Sequence, residues 1–498
     1  MIQPDFSGFL RASRKDHWVA VTGTLLADLE TPVSSFLKVA ATRPNAFLLE
    51  SAEQSESIGR YSIIGVDPPE VWIQEAGGTI LCRRANRTKK IAENGDLTAI
   101  IRGRMKEFKV ANPSALEGFA GGYVGFLSYE NVETFEDIHL RPLPGPKTPR
   151  GVFFLCHEFL VFDHFRKQLR IVTMVPAAKG RAAAARQYQK ARRRIQALAA
   201  RLSKQLRVST LRHKSGRVRL VSNMTRTGYQ ARVRKIKEYI RAGDIIQAVL
   251  SQRFTMTGHR DDFQIYRSLR SINPSPYMFY FRCGDLRLVG TSPELLVKKQ
   301  GTLAEVRPIA GTRPRGRTPE EDLKLEENLK RSAKEMAEHV MLVDLGRNDL
   351  GRVCRFNSIR VRNFGRIERY SHVMHLVSDV EGRLKPGKNS FDLLKATFPA
   401  GTVSGAPKIR AMQIINELEP EKRGPYAGSV GYFGFNGDMD MCIAIRTLVA
   451  HAGKLYLQAG AGIVKDSNPG REYQETVNKA QALLKAVCEP GEAHAPRH

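Results

Sequence analysis

The sequence has no CxxC pair, no apolar run of about eighteen residues and no apolar leader at its start. Its six cysteines (Cys82, Cys156, Cys283, Cys354, Cys442 and Cys488) are scattered through 498 residues. That spacing argues for free buried thiols rather than a disulfide framework or a zinc site. Without a long apolar run a membrane-spanning helix is not expected. The opening MIQPDFSGFLRASRKDHW lacks the apolar centre of a secretory leader, so a cytoplasmic protein with no membrane partner is expected. The familiar cofactor and hydrolase signatures are missing too. GTVSGAPK (401–408) lacks the spacing of a phosphate-binding loop, and Pro407 removes an amide that such a cradle needs. Ala337–His339 is not HExxH, and neither GxSxG nor GxGxxG stands out. No internal repeat is visible.

Acidic residues are missing from one long stretch. None occurs between Asp163 and Glu238, while Lys and Arg recur throughout, and the whole chain carries a net charge of +29. The densest part, Gly180 to Arg207, is rich in alanine and leucine and predicts a helix with solvated basic faces. No aromatic stacking pattern accompanies it, so only nonspecific nucleic-acid binding at low salt is expected.

Apolar runs then set the organisation. Short strands separated by turn signals are expected in an N-terminal region, 24–176, among them AFLLES, YSIIGV, VWIQEA, GGYVGFLSYE and the continuous GVFFLCHEFLVFD. The last reads as a strand buried on both faces. Leu140 to Pro149 reads as a proline-rich surface loop. A basic connector (177–219), a catalytic region (220–487) and a frayed tail (488–498) follow. Within 220–487 the pattern predicts a helix over 227–242 and one long helix over 319–345. An antiparallel meander is expected from Gly424 to Val464, with Asn436-Gly437 as a hairpin turn. Strands outnumber βαβ alternations, so the fold class is α/β of the α+β type, with mainly antiparallel sheets and flanking helices.

The segment AGAGIVKDSNPGREYQETVNK (459–479) is the most telling. A glycine-rich turn at Gly460 and Gly462 precedes a helical run that places Glu472, Glu475 and Lys479 on one face. A second ExxE pair, Glu335 and Glu338, lies far upstream. Two such pairs can hold one hard cation between two helices. Glycine N–H groups, lysine and arginine can then take the carboxylates of a small anionic substrate.

Several further pieces occur in a fixed order: LLES, NPSPYM, GTSPE, PIAGTRPRG, AEHVMLVDLGRNDLGRV, VMHLVSDVEG, GTVSGAPKIRAMQII and CIAIRT. From about residue 30 to 485 the chain resembles the chorismate-utilising enzymes, most closely the large subunits of anthranilate synthase. The resemblance implies two large antiparallel sheets flanked by helices, a chorismate site, one Mg²⁺, and ammonia as nucleophile. Ammonia would add at C2 of chorismate with loss of the C4 hydroxyl, and pyruvate would then leave to give anthranilate, the first committed step of tryptophan biosynthesis.

By the same resemblance, Glu338 and Glu475 match metal ligands, with Glu335 and Glu472 beside them. Arg446 and Tyr426 match residues that hold the enolpyruvyl carboxylate. Gly311, Thr312, Gly460, Ala461, Gly462 and Lys479 match the remaining substrate contacts. Glu294 matches the acid that protonates the departing hydroxyl, His375 the histidine of the pyruvate-elimination half, and Thr402 belongs to the same catalytic set. Two positions separate family members. Gln247 stands where isochorismate and salicylate synthases carry a water-activating lysine, and Ala310 where aminodeoxychorismate synthases carry a nucleophilic lysine. Ser51, Pro276, Tyr277 and Met278 match a tryptophan-binding site, implying feedback inhibition. No glutaminase segment is recognisable. A separate glutamine amidotransferase subunit is therefore expected to supply ammonia, in a hetero-oligomer, with a heterotetramer the expected form. The alternatives are aminodeoxychorismate or isochorismate synthesis, or a nonenzymatic polyanion-binding protein.

Overall fold

In the computed structural model, residues 2–14, 17–52, 59–85, 87–113, 116–206, 219–257, 261–370 and 373–488 are described. The run GVFFLCHEFLVFD forms two strands rather than one. Gly151–Cys156 and Glu158–Asp163 belong to different sheets, and His157 marks the passage between them. Val152, Phe154, Phe159 and Val161 meet in the core between the sheets. Phe153 and Leu155 face helices on one outer side, and Leu160 and Phe162 face helices on the other. Each strand does bury both faces, and the pattern follows from a four-layer stack of helices, sheet, sheet and helices.

The first sheet runs Ile2–Gln3, Trp18–Leu26, Gln168–Pro176, Glu158–Asp163, Tyr61–Val66, Asn45–Glu50, Tyr277–Cys283, Leu286–Ser292, Thr447–His451, Lys454–Ile463, Gln247–Thr257, Arg219–Ser222. The short Gly405–Ala406 pairs beside Gln247–Thr257. The second runs Ile309–Pro314, Val373–Arg383, Leu303–Val306, Leu295–Gln300, Met439–Ile443, Ser429–Gly434, Gly122–Leu127, Gly151–Cys156, Val71–Gln74, Ile80–Arg84, Arg87–Ala92, with Arg360–Arg369 added to Val373–Arg383. The strand pairs of both sheets are antiparallel. Between the sheets Phe154 stacks on Phe281 with ring centroids 4.4 Å apart. Such a pair adds about 1 kcal/mol beyond its area burial.

Three further sequence expectations change. The helix read over 319–345 is two helices, Pro319–Arg331 and Ala333–Gly351. Ser332 breaks it with an extended ψ of 103°, and its side chain accepts from the Glu335 N–H, capping the second helix. The meander from 424 to 464 is split between sheets: Ser429–Gly434 and Met439–Ile443 lie in the second, Thr447–His451 and Lys454–Ile463 in the first. The hairpin turn at Asn436-Gly437 is present, with Gly437 at φ +83°. Finally, Gly460 and Gly462 are not in a turn. They lie in the strand Lys454–Ile463, and the turn follows at 464–468 before the helix Pro469–Cys488.

The helix expected over 227–242 is Arg226–Arg241, closed by Gly243 at φ +84°. The basic segment holds the helix Arg181–Leu202. It is not solvated all round, because Ala184, Tyr188, Ala191, Ile195 and Leu198 pack on the first sheet. Ile195 fills the space above Gly23, so the arginines occupy the remaining faces. The rest of the expected connector (207–218) and the expected tail beyond Cys488 lie outside the described residues. Cys82, Cys156, Cys283, Cys354 and Cys442 are free and buried. No described helix is long and apolar enough to cross a membrane.

Candidate active site

Two of the places where the chain leaves one sheet for the other create the site. After Leu286–Ser292 the chain crosses at Pro293-Glu294 into the second sheet. After Met439–Ile443 it returns through Ala444 to Arg446. The crossings lie side by side. The Thr291 N–H donates to the Arg446 carbonyl (3.1 Å), and the Ile443 N–H donates to the Glu294 carbonyl (3.0 Å). Arg446 takes the left-handed conformation, φ +49°, which is uncommon away from glycine and turns its side chain out of the strand pattern.

A cavity of about 520 Å³ opens between these crossings and the helices Ala333–Gly351 and Pro469–Cys488. It is lined by Gln247, Glu294, Gly311, Thr312, Glu335, Glu338, His375 and Thr402. Tyr426, Arg446, Gly460, Gly462, Glu472, Glu475 and Lys479 complete the set. Every residue expected in the catalytic, substrate and metal sets therefore meets here except Ala461. On a strand successive side chains alternate, so Ala461 points to the opposite face, into a core with Tyr229 and Ile236.

Burial pushes the Glu294 carboxyl up to about 8, with the nearby Thr402 hydroxyl and Lys479 ammonium offsetting part of the effect. At neutral pH it is a neutral acid, 8% exposed. The His375 Nδ1 lies 2.9 Å from the Gly311 carbonyl and 3.1 Å from the Thr312 hydroxyl. A carbonyl can only accept, so Nδ1 carries the proton and Nε2 keeps its lone pair. Burial lowers the pKa of His375 and keeps the ring neutral. Gly311 makes this approach possible. It has φ +61° at a bulge against the His375 strand, and a Cβ there would stand 2.9 Å from Leu329 Cδ1.

No carboxylate among the described residues lies within ion-pair distance of Arg446, whose charge is disfavoured by burial and favoured by Tyr426 and Glu475. The Tyr426 hydroxyl approaches Gly460 so closely that a Cβ there would lie 2.8 Å from it. Burial holds Tyr426 protonated, up to about 12. The Lys479 ammonium donates to the Gly460 carbonyl (2.9 Å) and pairs with Glu475 (2.6 Å).

Four carboxylates share the cavity wall. Burial raises Glu338, and the charges of Glu335 and Glu475 raise it further. Burial also raises Glu472, with Glu475 adding to the effect. Arg313 engages Glu335 at 3.3 Å. No group of three or more His, Cys, Asp or Glu among the described residues is gathered closely enough to hold a metal alone. An all-oxygen donor set of a few carboxylates nevertheless fits Mg²⁺, which keeps waters and takes ligands from an anionic substrate.

Gln247 is 2% exposed, and its Oε1 has no hydrogen-bond partner among the described residues. Ala310 lines the same wall, so neither position presents an amine. Sequence reasoning missed Gln458, Lys334 and Asn273, which also line the cavity. Gln458 had a usable signal: it stands two residues before Gly460 on one strand and so shares its face.

The expected tryptophan set falls partly elsewhere. Pro276 lines the cavity, and Ser51, Tyr277 and Met278 do not. Ser51 follows the strand Asn45–Glu50, and the Ala52 N–H donates to the Ser275 carbonyl (3.0 Å). Met278 pairs with Glu50 across the strands and packs on the helix side, while Tyr277 turns toward the core between the sheets.

A model described as chorismate binding enzyme matches residues 44–485. The chain belongs to this family. It is 45% identical over 480 residues to anthranilate synthase component 1 of Acetivibrio thermocellus, covering 95% of this chain and 96% of that one. It is 44% identical over 514 residues to the protein of the same name from Synechocystis, covering 98% and 99%. Among solved structures, anthranilate synthase component I of Streptococcus pneumoniae superposes with a TM-score of 0.77 at 34% identity, covering 92% of this chain and 98% of that one. The menaquinone-specific isochorismate synthase of Escherichia coli shares the fold, with a TM-score of 0.69 at 18% identity over 97% and 99% of the two chains. The chorismate-binding family thus accounts for the two sheets, and the cavity lies at their crossings.

Proposed function

We propose that the protein is an anthranilate synthase large subunit, which converts chorismate and ammonia to anthranilate and pyruvate. The observation that carries the reading is Glu294, a buried carboxyl protonated at neutral pH in a cavity that also holds Arg446, a guanidinium with no ion-pair partner among the described residues. Arg446 pairs the enolpyruvyl carboxylate through its planar fork, and the protonated Tyr426 hydroxyl donates to the same group. Glu294 gives its proton to the C4 hydroxyl, which leaves as water while ammonia bonds to C2. The new ammonium then loses one proton, so the carboxyl can be restored. His375 Nε2 takes the C2 proton in the second half. The ring becomes aromatic, the C3–O bond breaks and enolpyruvate leaves, to be protonated on carbon as pyruvate. Gln247 and Ala310 supply no base to activate water and no amine to attack the ring, which leaves ammonia as nucleophile.

Glu338 and Glu475, with Glu335 and Glu472 beside them, would hold Mg²⁺. When bound, the ion supplies positive charge beside the ring carboxylate as hydroxide character develops. The homologues' component-1 names support a second component; it is read as a glutamine amidotransferase that delivers ammonia. Tryptophan is read as the feedback inhibitor, bound where the segment after Asn45–Glu50 meets Ser275 to Met278. The test is the fluorescence of purified protein with chorismate, Mg²⁺ and ammonium at pH about 8.5, where more of the ammonium is NH₃. Anthranilate emission suppressed by tryptophan supports the whole reading. Chorismate consumption without emission would replace it with aminodeoxychorismate or isochorismate formation.

A further inference from the structure

Behind the cavity wall lies a second charged group that the reaction scheme does not use. Arg423 and Glu419 form an ion pair with side chains 2% and 3% exposed. Arg423 does not line the cavity, yet it donates to two residues that do, Val403 and Val249, and lies over a third, Tyr426. Its Nη1 donates to the Val403 carbonyl (2.7 Å), the residue after Thr402. Its Nη2 donates to the Val249 carbonyl (2.7 Å) in the Gln247–Thr257 strand. Nε and Nη2 both donate to Glu419, at 2.9 and 2.7 Å. The guanidinium carbon also lies over the Tyr426 ring, 5.6 Å from its centroid, and over Tyr129 at 4.7 Å, within cation–π range of both.

Glu419 extends the net. Its Oε1 accepts from both the N–H and the hydroxyl of Ser251, at 2.8 and 2.7 Å. The Ser251 hydroxyl in turn accepts from the Gln458 amide (2.8 Å), and Gln458 lines the cavity. A charge pair this deep carries a desolvation cost that apolar side chains would avoid. A merely structural role does not call for a fork whose acceptors lie on two separate cavity walls while its charge lies over the tyrosine of a third.

We propose that Arg423 is a positioning residue for the substrate carboxylate. It fixes the Tyr426 ring by its cation–π contact and sets the distance from that ring to the Thr402 turn and the Val249 strand, with Glu419 holding the fork in register. This rests on the reading of Tyr426 as a carboxylate donor. The cation over the ring face also keeps the phenol an effective donor to an anion. Lysine at this position would keep the charge but could not reach both carbonyls and both carboxylate oxygens at once.

The experiment is a double-mutant cycle of Arg423→Lys with Tyr426→Phe, read by steady-state kinetics in chorismate and in ammonia. For Arg423→Lys alone, KM for chorismate should rise about tenfold while KM for ammonia stays within about twofold. In the Tyr426→Phe background the same change should raise KM for chorismate by less than about twofold, because the group through which Arg423 acts is gone. Two results would overturn the inference: a lowered melting temperature with an unaltered chorismate KM, or a tenfold effect that persists in the Tyr426→Phe background. If Arg423→Lys does not fold, Glu419→Gln, which keeps the shape and releases the fork, goes through the same cycle and decides by the same criteria. A wild-type protein that makes no anthranilate would sink the functional reading itself, a failure distinct from either.

Discussion

Replacing Glu294 by glutamine separates two consequences of one buried carboxyl. Its pKa stands at about 8 in the folded chain against 4.5 for an ordinary glutamate. Between these values the unfolded chain has released the proton and the folded chain still holds it. Folding therefore takes up a proton, and stability falls as pH rises through this window. At about 1.4 kcal/mol per pH unit, the loss across it is ~5 kcal/mol from this group alone. Glu294→Gln removes that slope. Urea unfolding of the two proteins at pH about 5 and about 8.5 should show the variant gaining several kcal/mol on the wild type at the higher pH only. Catalysis should move the other way. Losing the acid should cost about 10²–10⁴ in kcat. In the wild type, with total ammonium adjusted so that free NH₃ stays constant, the rate should fall above pH about 8 as Glu294 ionises. Unfolding curves whose difference does not change with pH, or a rate at constant NH₃ that stays flat past pH about 9, would refute the assignment of a neutral acid.

Four further outcomes are expected. Arg446→Lys keeps the charge but loses the bidentate fork, so kcat/KM for chorismate should fall about 10- to 100-fold with the fold unchanged by circular dichroism. Gly460→Ala places a methyl 2.8 Å from the Tyr426 hydroxyl and 3.1 Å from the Leu250 carbonyl. It should raise the chorismate KM more than it lowers stability. Glu338→Gln should raise the Mg²⁺ concentration for half-maximal rate by about tenfold or more, read from a metal titration at saturating chorismate. Ser51→Phe should leave uninhibited turnover intact and abolish suppression by tryptophan. A variant that stays fully tryptophan-sensitive would move the inhibitor elsewhere.

The acidic faces of the candidate site were legible from local spacing, whereas Glu294, His375, Tyr426 and Arg446 were placed only by the family resemblance. Glu335 and Glu338, and Glu472, Glu475 and Lys479, share helix faces by simple periodicity, and those helices are present. What was not legible was sheet membership. In GVFFLCHEFLVFD every residue from Gly151 to Cys156 is buried, so no alternation of polar and apolar residues marks the change of sheet at His157. The break at Ser332 was hidden for a related reason. Both flanking helices are rich in helix-forming residues, and it is the extended backbone of Ser332 and the capping bond from the Glu335 N–H to its side chain that show the serine begins a new helix. Gly460 and Gly462 read as a turn because two glycines usually punctuate. Here they are strand residues whose missing side chains leave room for Tyr426 and Gln247.

The first of these misreadings, a change of sheet hidden by the apolar pattern, bears on the chemistry. Glu294 and Arg446 sit where strands end in one sheet and resume in the other, and the two crossings are joined by reciprocal backbone hydrogen bonds. Such a place is deep, so a carboxyl there is desolvated and kept neutral. It is also irregular, so an arginine can adopt φ +49° and aim out of the pleat. A strand interior offers depth without freedom of direction, and a surface loop offers direction without depth. Acid and anion clamp need both, since one must stay protonated and the other must meet a carboxylate where water competes weakly. The feature the apolar pattern concealed, the change of sheet, is therefore what makes these two side chains suited to their proposed roles.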